Sequence, residues 1–167
     1  MVFDRNTKTQ TKKYSGFTLI ELLVVISIIG ILSTLAVVSL NNARAKARDA
    51  KRVSDIKQVQ TALELFLADR NGYPAGNGII LGSASAASLS ETNAFSATSA
   101  GTLYMGKVPS NPTPGGVNYV YTSYTSSAKT TVCSSVPCVW YEITFEIEGQ
   151  TGGLPAGAHA ADPTGIN

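Results

Sequence analysis

Between Phe17 and Leu40 the chain runs for twenty-four residues with a single formally charged side chain, Glu21. As a helix rising 1.5 Å per residue that run is about 36 Å long, enough to cross a hydrocarbon core of roughly 30 Å with some tilt. A glutamate barely one turn inside such a segment costs on the order of a few kcal/mol in lipid. Either a counter-charge offsets that cost, or Glu21 stays protonated or snorkels to the interface of a monomeric anchor.

Residues 1–16 are polar and hold Arg5, Lys8, Lys12 and Lys13 against Asp4, without apolar periodicity. Ahead of an apolar run they read as a targeting segment. A secretory signal has a shorter apolar region of about 7–15 residues and a small-residue cleavage site. This run is longer and no Ala-x-Ala precedes a polar start, so secretion with loss of the whole run is the weaker reading. Gly16-Phe17-Thr18-Leu19-Ile20-Glu21 resembles the processing site of the type IV pilin family, which includes the pseudopilins of type II secretion. In that family a basic leader is cut after a glycine, the new terminal phenylalanine is N-methylated, and a glutamate lies four residues beyond it. Gly16, Phe17 and Glu21 occupy those positions. The resemblance implies a leader (1–16) removed by a prepilin peptidase and a membrane and assembly half of a helix (17–40). The freed Phe17 amine would meet Glu21 of a neighbouring subunit, offsetting part of each group's desolvation and favouring one axial stagger. One departure is Val38, where family members often have a proline; valine gives no covalent reason for a helix break.

From residue 41 to 71 the helical signal turns amphipathic. Val53, Ile56, Val59, Leu63 and Phe66 recur at steps of three or four with Leu67 beside them, and Asn71-Gly72 then Pro74 mark the stop. Such a helix lays an apolar stripe on a globular head, residues 72–167. Arg44, Lys46, Arg48, Lys51, Arg52 and Lys57 make the downstream flank as basic as the leader, so the positive-inside rule selects no orientation. This patch has three readings: contact with anionic lipid, pairing with acids of a neighbour, or a solvated flank.

Residues 72–116 read as a loop, rich in Ala, Ser and Gly over 75–106 and then turn-prone through Pro109, Asn111-Pro112 and Gly115-Gly116. That second part resembles the proline-bearing segment of major pseudopilins, which often have Asp-Pro here. Strands are expected at about 117–125 and 139–148. In the second, Val139, Tyr141, Ile143, Phe145 and Ile147 alternate with Trp140 and acids Glu142, Glu146 and Glu148, which read as a solvated face. Cys133 and Cys138 lie in the connection, as a disulfide or a reduced pair, at a spacing unlike redox or zinc motifs. The Gly/Ala-rich tail 149–167 should pack loosely or lie along the sheet edge. The fold class is therefore α+β and pilin-like: one long helix on a small antiparallel sheet.

The lone histidine, His159, reads as solvent-exposed rather than as a base, and no triad, zinc spacing or phosphate loop is present. Neither an enzyme nor a cofactor is expected. The head carries Lys107 and Lys129 against five acids, which disfavours nucleic acid there. The expected role is a subunit polymerising with itself and other pilins through an assembly platform. The resemblance puts it in the inner membrane with its head exported, and then in a surface or periplasmic filament. The alternatives are a minor pilin that binds DNA or a surface, and a monomeric membrane-anchored domain.

Overall fold

The computed structural model describes residues 16–167, so the expected leader lies outside the described residues except for Gly16. Helix α1 spans Leu19–Arg70. It ends where Asn71 turns left-handed (φ 54°) with its N–H donated to Leu67 O at 2.8 Å, followed by Gly72. Asparagine tolerates that conformation because its short side chain limits the Cβ clash. The chain divides into two compact units, one ending at Leu40 and one of Asn41–Asn167. In the first, every described residue is exposed.

In the second unit the strands are β1 (Ile79–Ile80), β2 (Ser88–Ser90), β3 (Ala94–Ser96), β4 (Leu103–Met105), β5 (Val120–Tyr124), β6 (Trp140–Ile147), β7 (Gly157–Asp162) and β8 (Gly165–Ile166). The main sheet has the order β1-β5-β6-β7-β8 and a smaller one β3-β2-β4. Every pairing is antiparallel, with Ile143 opposite Tyr121 on one side and Ala161 on the other. Ile56, Val59, Leu63 and Phe66 of α1 share one core with Tyr121, Tyr141, Ile143, Phe145 and Ile147. Tyr73 meets Tyr141 edge-on at 4.7 Å between ring centroids. The α+β, pilin-like arrangement is the one expected.

Four expectations change in detail. The loop expected over 72–116 contains β1 to β4, because Leu89 and Phe95 are buried by strands too short to show period two. Of the two readings of the tail 149–167, the one along the sheet edge holds, but as paired strands, with β7 along β6 and β8 along β7. His159, expected in solvent, is only 9% exposed, its Nε2 2.8 Å from Pro155 O and its Nδ1 3.0 Å from Asn167 O. Its strand escapes a sequence reading because alanines on both faces give no apolar contrast. Val139, expected at the buried face, is exposed, since β6 begins one residue later.

Candidate assembly site and the charged anchor of the head

The basic flank does not read as one surface. Arg52 is fully buried and directs all five of its N–H groups inward. Nη1 donates to Asp49 Oδ1 at 2.6 Å and Glu148 Oε1 at 2.7 Å, and Nε to Asn111 Oδ1 at 2.7 Å. Nη2 reaches the carbonyls of Pro112 (3.1 Å) and Gly115 (2.8 Å). Arg48 grips both oxygens of Glu148, at 2.8 and 2.6 Å. Asp49, equally buried, accepts the backbone N–H groups of Glu148 and Gly149 at 2.9 and 2.8 Å. Two guanidinium groups and two carboxylates thus close one turn of α1 onto the end of β6 and the loop before β5.

That cluster corrects the reading of Glu148 as a solvated strand residue. The Arg48 guanidinium, with Arg52 behind it, holds the Glu148 carboxyl down at about 2. Glu142 is also paired, to Lys129 at 2.6 Å. Gly116 is needed at its position, since a Cβ there would stand 3.0 Å from Arg52 Nε and its φ is +69°. No sequence signal marked Arg52 and Asp49 as buried. The hint available was their place at steps of three and four on the stripe that continues through Ile56.

At the other end Thr18 is the N-cap of α1 and Glu21 its third residue. Thr18 donates to Glu21 Oε2 from its backbone N (2.9 Å) and from Oγ1 (2.7 Å), while the Glu21 N–H returns to Thr18 Oγ1 at 3.3 Å. This reciprocal capping box satisfies two of the helix's unpaired donors. The signal was present as Thr-x-x-Glu, and it adds Thr18 to the site residues. Among the described residues Glu21 Oε1 has no hydrogen-bond partner. Phe17, Ile20, Glu21, Val24 and Val25 line an open groove of about 310 Å³, and Phe17 is 82% exposed. Farther along, Ser27 and Thr34 return their hydroxyls to Leu23 O and Ile31 O, both at 2.8 Å, so these two polar groups are satisfied within the helix.

Comparison with known proteins bears on this segment. A family model, the prokaryotic N-terminal methylation motif, matches residues 11–37. The start of this chain is that of a type IV pilin or pseudopilin. Gly16, Phe17, Thr18 and Glu21 all fall within the matched pilin segment. The type II secretion system core protein G of Aeromonas hydrophila is 46% identical over 65 residues, 39% of this chain and 46% of that protein. Its namesake in Escherichia coli (strain K12) is 45% identical over 67 residues, 40% and 46% of the two chains. In Pseudomonas aeruginosa the figure is 38% over 66 residues, again 40% and 46%. The chain thus spans just under half the length of these curated relatives. No solved structure matches it. In the head, Cys133 and Cys138 are bonded. Gly16 lies outside α1 with open space around its Cα, and Val38 lies within the helix.

Proposed function

We propose that this chain is a structural subunit of a type IV pilus or a type II secretion-like pseudopilus, and not an enzyme. The observation that carries the reading is the methylation-motif match over a helix start that is wholly exposed and has one charge. On this reading a prepilin peptidase cuts after Gly16, and Phe17 becomes the methylated N-terminus. Residues 17–40 then hold the subunit in the inner membrane with residues 41–71 and the head 72–167 exported, until a platform draws it into a filament with copies of itself and other pilins. The names of the curated relatives favour the secretion branch.

The geometry supports a role for Glu21 in assembly. One carboxylate oxygen holds its own helix cap and the other is left for an incoming group. The Phe17 amine of a neighbouring copy is a cation of the right sign, and their contact would relieve two desolvated charges together. Glu21→Ala should therefore mature normally while sheared filament falls by roughly tenfold or more, the factor that a lost 1.4 kcal/mol contact implies. Quantitative blotting of sheared material checks it, and filaments at wild-type abundance would contradict the role.

A further inference from the structure

The basic residues after the span sort by partner. Arg48 and Arg52 are held by Glu148 and Asp49, and Lys51 pairs with Asp55 at 3.0 Å. Arg44 and Lys46 are exposed and have no carboxylate partner among the described residues. In sequence both follow Leu40, the last residue of the apolar run, and both lie in α1. Four and six residues of helix correspond to about 6 and 9 Å of rise. The headgroup layer on each side of a bilayer is roughly 5–8 Å deep. Lys57 lies thirteen residues past Arg44 in the same helix, about 20 Å of rise and more than the depth of that layer.

The setting around Lys46 suits an anion. Asn42 and Lys46 of α1 and Gly149 and Gln150 after β6 line a cleft of about 270 Å³. Asp49 and Glu148 at its wall are already neutralised by Arg52 and Arg48. No acid occurs between Glu21 and Asp49. Arg44 and Lys46 project about 200° apart around the helix, so each would meet a different lipid molecule.

We propose that Arg44 and Lys46 bind the phosphates of anionic phospholipids, holding the unassembled subunit at a fixed depth until it is drawn out of the bilayer. The proposal rests on the membrane-span reading of residues 17–40. A cation near an anionic surface contributes a factor of about five in affinity, so two contribute roughly thirty at low ionic strength.

The test is native mass spectrometry of the full chain in mild detergent, titrated with phosphatidylglycerol or phosphatidylcholine. Wild type should retain phosphatidylglycerol preferentially. R44Q and K46Q should each weaken retention about fivefold and the double variant about thirtyfold, with K57Q unchanged. Equal retention of both lipids would overturn the proposal. So would wild-type phosphatidylglycerol binding by the double variant, and if its filament yield fell meanwhile, the cations serve a neighbouring copy instead. An alkaline wash of cell membranes separates the two levels. Release of the chain there overturns the span reading along with the proposal, whereas a retained chain without anionic preference overturns the proposal alone.

Discussion

Asp49 is the residue whose environment depends most on a single neighbour. It is fully buried as a carboxylate, tolerable because Arg52 stands 2.6 Å away and two backbone N–H groups point at it. Arg52→Met would roughly keep the volume of the side chain while leaving Asp49 without its buried cation and removing the donor to Asn111 Oδ1 and Pro112 O. It should lower stability by about 3–5 kcal/mol, measured by denaturant unfolding of the full chain in detergent. A change below 1 kcal/mol would mean that Asp49 finds compensation elsewhere. Asn111 suits the cluster better than an aspartate would. Its amide both accepts from Arg52 and donates to Gly115 O at 2.9 Å, which a carboxylate cannot do. Glu148 gives the cluster a pH signature. Its carboxyl is held at about 2 in the folded chain against an ordinary 4.5, so its contribution is fully present above about 4.5. That contribution disappears as pH falls from about 4.5 towards 2, because the unfolded chain then binds the proton first. Thermal melting across that interval should show Glu148→Gln with a shallower loss of stability than wild type; parallel profiles would refute the pairing.

The elements differ in how far the sequence announces them. Helix α1 is legible at both ends and along its stripe, because leucine, valine and phenylalanine at steps of three and four contrast with their neighbours. Strand β6 is equally legible, since four buried apolar residues alternate with polar ones. Beyond those, contrast fails. The stripe of α1 continues towards the N-terminus through Arg52 and Asp49, whose charges read as surface until their partners a hundred residues away are known. Strand β7 buries His159 and Ala161 but exposes or half-buries Ala158 and Ala160, so its period is invisible in composition. The capping box at Thr18 and Glu21 is the opposite case, local and readable from spacing alone. The Cys133–Cys138 link joins two points where the connection touches other elements. Cys133 N–H donates to Ser123 O at 2.8 Å, and Tyr73 and Cys138 exchange both backbone bonds at 2.8 and 3.2 Å. Closing so short a loop restrains the unfolded chain by about 2 kcal/mol in the chain-entropy account. Replacing both cysteines by serine should lower unfolding stability by about that amount without altering the sheet's circular-dichroism signal. An unchanged midpoint would show that the link does not constrain this head.

For the whole molecule, the two units call for different completions. The unit of Asn41–Asn167 closes its own core, and its dense charge cluster around Arg52 is satisfied internally. The apolar unit ending at Leu40 covers none of its described surface, and Glu21, the one carboxylate among its described residues, has one oxygen in its own cap and one without a partner. A helix of this kind needs lipid, and then, on the filament reading, copies of itself. The proposed contact between copies requires the chain to begin at Phe17, since only cleavage after Gly16 would create the amine that Glu21 is proposed to meet. The most direct test is the intact mass of subunits recovered from sheared filaments. Those subunits should lack residues 1–16 and carry one added methyl group on Phe17. Filament subunits that retain residues 1–16 would contradict this processing.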